Sequence, residues 1–339
     1  GTTGRPKGIM LSHGNLAANG QTLVDLWGFT SRDRLLHVLP VFHVHGLFIA
    51  LHCALLSGAS LRWLRKFDPA DVLEALPDCT VMMGVPTYYT RLLADAHFGA
   101  RHCRNMRLFI SGSAPLLTET FETFRARTGH VILERYGMSE TGMNTSNPIN
   151  GERRAGTVGL PLPDVELRVV GPDGAALAPG ETGNLQVRGP NVFSGYWRMP
   201  DKTCEDFTAV GFFDTGDKAQ IAADGYVSIV GRAKDMIITG GLNVYPKEIE
   251  LLLDQESGVA ESAVIGVPHP DFGEAVVAVV VLAPDSPPEQ NQLMAGLRHQ
   301  LAGFKLPKRI FVLPDLPRNA MGKVQKNLLR EKFSETFVN

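Results

Sequence analysis

The chain has 339 residues, of which 44% are hydrophobic and 20% are charged, and its net charge is −2. This length suits two or three globular domains, and the near-neutral charge gives no basic excess that would indicate a nucleic acid partner. No apolar run reaches the roughly 18–20 residues that a membrane-spanning helix needs. Cys53, Cys79, Cys103 and Cys204 are far apart and lack metal-ligand spacing, so we expect free core thiols in a reducing compartment.

The first predicted elements alternate strands with helices. Residues 35–63 indicate a strand, a loop with two histidines, a buried helix and a short strand. The segments "TVMMGVP" and "MRLFISGSAP" predict two further strands, each ending in a Gly/Pro loop, and "TETFETFRARTG" predicts a helix. This α/β alternation favours a largely parallel sheet, in which ligands bind at the carboxyl ends of the strands.

The sequence pattern changes twice further along the chain. Between Gly156 and Val230, turn signals about every ten residues predict a small antiparallel barrel or sandwich. After "GRAKD", a helix at "YPKEIELLLDQE", two strands, a helix and the strand "RIFVLP" predict a compact α+β unit. We therefore predict a large domain over residues 1–231, with its β-rich part at 155–230, a hinge near 232–235, and a small mobile domain over 235–339.

Six segments carry residues suited to nucleotide chemistry. The first, "GTTGRPKG", offers backbone N–H groups and a lysine to a polyphosphate, although Pro6 before Lys7 departs from Walker spacing and a surface hairpin is the alternative. The others follow in order as "SGSAPL", "ERYGMSET", "GFFDTGD", "GRAKDMIITGG" and "PRNAMGKVQK". Together the six resemble the motifs of the adenylate-forming superfamily, which comprises acyl-CoA synthetases, luciferases and the adenylation domains of peptide synthetases.

The resemblance implies a two-step reaction. A carboxylate attacks the α-phosphorus of ATP to give an acyl-adenylate and pyrophosphate. A thiol, usually that of coenzyme A, then attacks the acyl carbon and AMP leaves. The resemblance also implies a Mg²⁺ requirement and the fold of a large adenylate-forming domain followed by a small lid domain. We expect the chain to be truncated at its N-terminus and the protein to be cytoplasmic, with organelle targeting left open.

Several residues are assigned to the nucleotide by the resemblance. Ser139 is expected to donate to the α-phosphate, and Glu140 offers Mg²⁺ a hard oxygen ligand. The resemblance assigns a phosphate cradle to Thr2, Thr3, Gly4 and Lys7. It assigns an adenine site to Gly112, Ser113, Ala114, Tyr136 and Gly137. It assigns a ribose site to Asp217 and Arg232.

The C-terminal motifs carry the predicted catalytic lysine. Lys323 is expected to bridge the attacking carboxylate and the α-phosphate, whereas Lys326 is expected to be solvated. Lys234 resembles the hinge residue of the family. Gly240 and Gly241 are expected to line a channel for the pantetheine arm, and a plain turn is the alternative.

The acid is predicted from departures from the common family pattern. Arg135 stands where many members have a small residue beside the acyl pocket, and it is suited to pair with a second substrate carboxylate; the alternative is an ion pair with Glu134 or another surface acid. We predict three further substrate residues, which are His45, Arg107 and Met138. The motifs are most similar to those of malonyl-CoA synthetases, which implies malonate or methylmalonate. An aryl or medium-chain acid, or a catalytically impaired nucleotide-binding fragment, are the alternatives.

Overall fold

The structure is a computed structural model that describes residues 7–283, 290–319 and 322–337. Thr2, Thr3 and Gly4 of the predicted phosphate cradle lie outside these residues. Within them the chain divides into a larger unit, residues 7–215 with 219–229, and a smaller unit, residues 216–218 with 230–337. The main division therefore falls just before the predicted hinge at 232–235. Among the described residues, no helix has both the length and the apolar character needed to cross a membrane.

The described α-helices, numbered in chain order, are α1 (His13–Leu26), α2 (Leu51–Ser57), α3 (Pro69–Ala75), α4 (Pro86–Leu93), α5 (Thr118–Thr128), α6 (Pro200–Asp206), α7 (Pro246–Leu253), α8 (Gln290–Arg298) and α9 (Lys326–Lys332). The described strands are β1 (Arg34–His37), β2 (Ser60–Trp63), β3 (Val81–Gly84), β4 (Leu108–Ser111), β5 (Leu133–Met138), β6 (Gly142–Ser146), β7 (Leu160–Pro161), β8 (Glu166–Val170), β9 (Gly183–Arg188), β10 (Phe213–Ile221), β11 (Val227–Arg232), β12 (Ile237–Thr239), β13 (Leu242–Val244), β14 (Val259–His269), β15 (Gly273–Leu282) and β16 (Arg309–Val312).

A seven-stranded sheet forms the centre of the larger unit. Its strand order is β2-β1-β3-β4-β5-β6-β7, in which the pairs from β2 to β5 are parallel and the last two pairs are antiparallel. The predicted parallel α/β arrangement is confirmed. The carboxyl ends of the parallel strands therefore lie along one edge of the sheet, where α/β proteins bind ligands.

The parallel strands are buried on both faces. In β4, Leu108 and Ile110 belong to one apolar cluster, whereas Phe109 between them belongs to a second cluster with α4 and α5. Successive side chains of a strand point to opposite faces, so this continuous apolar run needs helices on both sides. Cys53, Cys79 and Cys103 are buried in these layers, but Cys204 is exposed, so the prediction of a core thiol is wrong for Cys204.

Local sequence explains where the helices begin and end. At the start of α3, the Asp68 carboxylate accepts from the Ala70 N–H at 3.0 Å, and Pro69 occupies the first turn, where no N–H is needed. The α5 helix ends at Gly129, whose φ of 78° is accessible to glycine at little cost.

The β-rich part contains a four-stranded sheet with the order β11-β10-β9-β8, and β8 pairs antiparallel with β9. Its apolar side is formed by Val169, Leu185, Ala219 and Val227, together with Val158.

The smaller unit is an α+β structure, as predicted. Its sheet has the order β13-β12-β15-β14, and β16 pairs in parallel with β15. Alternate residues of β15 face two separate apolar clusters: Val276, Ala278 and Val280 pack with residues of α7 and α8, while Val277 packs on the face that includes Leu329 of α9.

Candidate active site

Two of the predicted motifs meet at the carboxyl edge of the parallel sheet in the larger unit. β4 ends at Ser111 and leads into Gly112, Ser113 and Ala114, and the neighbouring strand β5 carries the residues from Arg135 to Met138. Ser113 has a φ of 71°, a backbone conformation that costs energy for a residue with a side chain and that often occurs at functional sites. Ser139 and Glu140 lie in the turn between β5 and β6, and both are half-buried.

Arg135 is the most unusual group at this edge. The residue is only 2% exposed, and its guanidinium lies directly against Gly112, where an added Cβ would overlap the guanidinium carbon. In the part of the chain that the structure describes, Nε and Nη2 have no hydrogen-bond partner. A buried donor without an acceptor costs free energy, and a buried charge without a counterion costs more.

The charge of Arg135 persists in spite of this burial. Desolvation lowers the pKa of the guanidinium to about 10, while Tyr89 and Glu134 act in the opposite direction. The guanidinium is therefore protonated at neutral pH. Glu134 also uses its Oε1 to accept from the Leu116 N–H at 3.0 Å. Because Arg135 is buried, an ion pair with an exposed acid is wrong, whereas an electrostatic interaction with the neighbouring Glu134 is present.

His45 is distant in sequence but contacts the loop that follows β4. It begins a π-helical turn, His45–Ala50, and is 1% exposed. Its Nδ1 lies 3.3 Å from the Ser113 hydroxyl. Single π-helical turns are frequent at functional sites. The structure thus brings His45, Gly112, Ser113 and Arg135 to one edge of the sheet.

Arg107 does not belong to this group. It precedes β4 and therefore lies at the amino end of the strand, opposite to Gly112. Its Nε and Nη2 donate to the two oxygens of Asp33 at 2.7 and 2.8 Å, and Nη1 donates to the Trp27 carbonyl at 3.0 Å. The prediction that Arg107 binds substrate is wrong, because the two ends of a strand lie at opposite edges of the sheet.

Lys7 and Glu140 are connected by a residue that the sequence analysis missed. The Lys7 ammonium lies 4.0 Å from the centroid of the Tyr196 ring, and the Tyr196 hydroxyl donates to Glu140 Oε1 at 3.3 Å. Tyr196 lies in "SGYWRMP", outside the six motifs. The sequence hint to its role was an aromatic residue in the stretch between the motifs "ERYGMSET" and "GFFDTGD".

Glu140 fits a Mg²⁺ that also takes ligands from phosphate. Within the described residues, no group of three or more Asp, Glu, His or Cys side chains could hold a metal by itself. Mg²⁺ is commonly bound by one or two carboxylates together with substrate phosphates and water. The carboxylate of Glu140 is a donor of that kind.

The remaining adenine-site residues also lie on β5. A Cβ on Gly137 would overlap the Gly142 carbonyl oxygen of β6, so the close pairing of these strands requires glycine there. Tyr136 is partly buried and packs against the apolar side of the four-stranded sheet. Met138 is partly buried and packs against the apolar core of the larger unit.

The predicted ribose pair lies in the smaller unit. Asp217 is 3% exposed, and Arg232 Nε lies 3.2 Å from its Oδ1. Lys234 is exposed in a short 3₁₀ turn, Ala233–Asp235, between β11 and β12. Gly240 and Gly241 have φ values of 56° and 79° and form the exposed turn between β12 and β13. Such a two-residue hairpin favours glycine, which agrees with the alternative of a plain turn.

The backbone of Lys323 is held by its own loop. Its N–H donates to Asn319 Oδ1 at 3.0 Å, and its carbonyl accepts from the Asn319 N–H at 3.0 Å. Lys326 is not solvated as predicted: its Nζ lies 2.6 Å from Glu250 Oε1, and both side chains are largely buried. A glutamate on the apolar face of α7 was the sequence signal for this pair.

Comparison with known proteins identifies the family. The profile of the AMP-binding enzymes matches residues 1–197, and the profile of the AMP-binding enzyme C-terminal domain matches residues 248–323. The chain belongs to the family of AMP-binding enzymes. The chain is 40% identical to the mitochondrial malonate–CoA ligase of Mus musculus over 98% of this chain and 63% of that protein. It is 38% identical to a feruloyl-CoA synthase of Amycolatopsis sp., over 98% of this chain and 68% of that protein.

The structural comparison agrees with the family. The crystal structure of ATP-bound MatB from Rhodopseudomonas palustris matches with a TM-score of 0.98 and 55% identity, covering 99% of this chain and 67% of that chain. The present chain spans about three fifths of the length of the first curated relatives that it matches, with values of 60%, 63% and 59%.

Proposed function

We propose that the protein containing this chain is an AMP-forming acid–CoA ligase that activates a small dicarboxylic acid, with malonate as the first candidate and methylmalonate as the second. ATP and coenzyme A are the proposed co-substrates, with Mg²⁺ as the cofactor. Family membership supports the ATP-dependent chemistry. The names of the mouse relative and of the ATP-bound MatB structure support the ligation step and the nucleotide.

One observation carries the choice of acid. Arg135 places a protonated guanidinium with two unpartnered donors among the described residues at the edge of the sheet where ligands bind. A monocarboxylic acid uses its only carboxylate for adenylation and leaves Nε and Nη2 of that guanidinium without an acceptor. The second carboxylate of a short diacid can accept from Nε and Nη2 together, which is the bidentate geometry that arginine favours.

The proposed roles of the other residues follow from their chemistry. Lys7 and the glycine-rich loop hold the β- and γ-phosphates, and Ser139 donates to the α-phosphate. Mg²⁺ bound by Glu140 and phosphate oxygens would neutralise charge on the triphosphate. Asp217 and Arg232 bind the ribose, and Lys323 supplies the positive charge that lets two anions meet. Lys234 acts as the hinge, and Gly240 and Gly241 border the path of the pantetheine arm.

A ligase for an aryl acid is the second candidate. The 38% identity to a feruloyl-CoA synthase favours it, because that relative is nearly as similar as the malonate–CoA ligase. The two candidates differ in what Arg135 faces, since an aryl substrate offers no second carboxylate to a buried guanidinium.

The proposed location is cytoplasmic, and imaging of the tagged full-length protein would separate it from the mitochondrial location in the name of the mouse relative.

The test is a panel of carboxylates in an ATP–pyrophosphate exchange assay with the full-length protein. The panel contains malonate, methylmalonate, acetate, ferulate and octanoate, and mass spectrometry identifies the acyl-CoA formed. We expect malonate to give the highest kcat/KM and malonyl-CoA as the product. A preference for ferulate or octanoate would contradict the diacid proposal, and ATP binding without exchange for any acid would favour a catalytically impaired protein.

A further inference from the structure

The backbone of segment 193–197 forms hydrogen bonds next to both predicted phosphate-binding motifs of the larger unit, which are the loop with Lys7 and the turn with Glu140. The Phe193 N–H donates to the Glu140 carbonyl at 2.8 Å. On the other side, the Trp197 N–H donates to the Gly8 carbonyl at 2.7 Å, and the Met10 N–H donates to the Gly195 carbonyl at 3.0 Å. The segment therefore fixes the chain that follows Lys7 relative to the turn that carries Glu140.

The side chain of Tyr196 also links the two motifs, through its ring to Lys7 and through its hydroxyl to Glu140. Its ring face lies under the Lys7 ammonium, with 4.0 Å between Nζ and the ring centroid. Its hydroxyl donates to Glu140 Oε1 at 3.3 Å, and Asp206 is a second carboxylate near the same hydroxyl. The residue is 3% exposed and packs edge-on against Phe193, with 4.8 Å between the ring centroids.

The phenol is the donor in its hydrogen bond with Glu140, because an ionised carboxylate has no proton to donate. Lys202 Nζ lies 2.9 Å from Asp206 Oδ1, so the charge of Asp206 has a cation beside it, whereas the partner of the Glu140 carboxylate among the described residues is the phenol.

This arrangement keeps two opposite charges apart. An ammonium and a carboxylate on neighbouring loops attract each other, and a direct ion pair between them would remove both groups from a ligand. The neutral ring attracts the ammonium through its π face, and the hydroxyl at the ring's edge holds the carboxylate. Each charge keeps a defined position without neutralising the other.

We propose that Tyr196 is a positioning residue that holds the Lys7 ammonium for the terminal phosphates and the Glu140 carboxylate for the divalent cation bound with them. The inference rests on the proposed function in one respect: it takes ATP with Mg²⁺ as the ligand of the larger unit. It does not depend on which acid is activated.

The test measures equilibrium binding of ATP to the full-length protein by isothermal titration calorimetry, with Mg²⁺ and with EDTA. Tyr196→Phe keeps the ring and removes the bond to Glu140. We expect it to weaken binding of Mg-ATP roughly three- to tenfold, the size expected for an ordinary intramolecular hydrogen bond, and to leave binding in EDTA within about twofold of wild type. An unchanged or stronger Mg²⁺ dependence would overturn the proposed role toward Glu140.

Tyr196→Leu removes the ring as well. We expect it to weaken ATP binding both with Mg²⁺ and in EDTA, by roughly three- to thirtyfold, because the ammonium loses its support. Lys7→Met should then weaken ATP binding less in the Tyr196→Leu background than in wild type, since an ammonium that has lost its support contributes less to phosphate binding. Fully additive losses would overturn the proposed role toward Lys7.

Tyr226 provides a matched control in the larger unit. Its hydroxyl donates to the Glu152 carbonyl at 2.7 Å, and the Arg154 guanidinium lies 3.9 Å from its ring centroid. Tyr226→Phe should change neither binding constant beyond about twofold. Equal effects of Tyr226→Phe and Tyr196→Phe would mean that Tyr196 acts through stability alone and would overturn the inference.

Two outcomes separate this inference from the proposed function. If the wild type binds no ATP, the proposed function fails and the inference fails with it. If the wild type binds ATP and the carboxylate panel shows no diacid preference, only the choice of acid fails, and the Tyr196 variants still decide the inference. Thermal unfolding of each variant shows whether it is folded; should Tyr196→Leu not fold, Tyr196→Phe still decides the role toward Glu140.

Discussion

Replacing Arg107 by methionine separates a structural role from a role in substrate binding. Arg107 joins the amino end of β4 to the loop around Asp33, whose carboxylate also accepts from the Thr80 hydroxyl at 2.8 Å and from the Thr30 N–H at 2.9 Å. The Asp33 side chain is 5% exposed, whereas Arg107 is 33% exposed. Methionine keeps much of the apolar length of arginine and removes the four donated hydrogen bonds.

The expected loss of stability follows from what remains around Asp33. Breaking a buried ion pair by removing one partner costs about 3–5 kcal/mol. Donors from Thr30 and Thr80 remain on Asp33, and solvent screens part of the arginine charge, so we expect Arg107→Met to lower the free energy of unfolding by about 2–3 kcal/mol. The KM for the acid should stay within about twofold of wild type, because Arg107 lies at the other edge of the sheet.

The pH dependence has a definite sign. Burial raises the pKa of Asp33, but the hydrogen bonds from Arg107, Thr30 and Thr80 together hold it below its usual value. A carboxyl with a lowered pKa in the folded state stabilises the protein above its unfolded pKa, and that contribution is lost as the pH falls through the folded pKa. The difference between wild type and Arg107→Met should therefore narrow below about pH 4.

Urea unfolding followed by tryptophan fluorescence measures this loss, and the acid KM is measured in the exchange assay. Arg104→Met is the control, because it removes an exposed arginine three residues earlier in the chain. A variant with unchanged stability and a KM raised tenfold or more would refute the structural assignment and return Arg107 to the substrate site.

Three further predictions concern the other motifs. Gly112→Ala places a methyl group against the Arg135 guanidinium, so we expect the KM for the diacid to rise at least about tenfold and by a larger factor than the Kd for ATP, measured by exchange kinetics and calorimetry. Lys323→Ala should lower adenylation by roughly two to three orders of magnitude while leaving thioester formation from a supplied acyl-adenylate largely intact. Lys326→Met leaves Glu250 buried without its nearest cation and should lower the stability of the smaller unit by about 3 kcal/mol, measured by urea unfolding.

Each of these predictions has an outcome that contradicts it. An unchanged diacid KM in Gly112→Ala would mean that the guanidinium does not act from its observed position. Equal losses in both half-reactions of Lys323→Ala would contradict a role confined to adenylation. For Lys326→Met the control is Lys332→Met, which removes an exposed lysine of the same helix; equal stability losses would show that burial of the Glu250 pair is not the cause.

The secondary structure and the motif order could be predicted because they depend on local sequence. A continuous apolar run such as β4 is buried on both faces, and the Gly/Pro loop after it marks the end of the strand. Arg135 could also be singled out as a candidate site residue, since a large charged residue in place of a small one is visible without a structure.

The pairings of charged and aromatic side chains could not be predicted in the same way. Arg107 and Asp33, Lys326 and Glu250, and Tyr196 with its neighbours are distant in sequence and meet only when strands and loops pack. Sequence proximity to a motif placed Arg107 at the wrong edge of the sheet, and nothing local to Lys326 indicated a buried partner.

The most direct test of the central claim, that Arg135 binds a second carboxylate, is the ratio of kcat/KM for malonate to kcat/KM for acetate in wild type and in Arg135→Gly. Loss of a buried charge pair implies a fall in this ratio of roughly a hundredfold or more, with acetate and propionate gaining activity. A ratio that stays within about twofold of wild type in a folded, ATP-binding variant would contradict the claim.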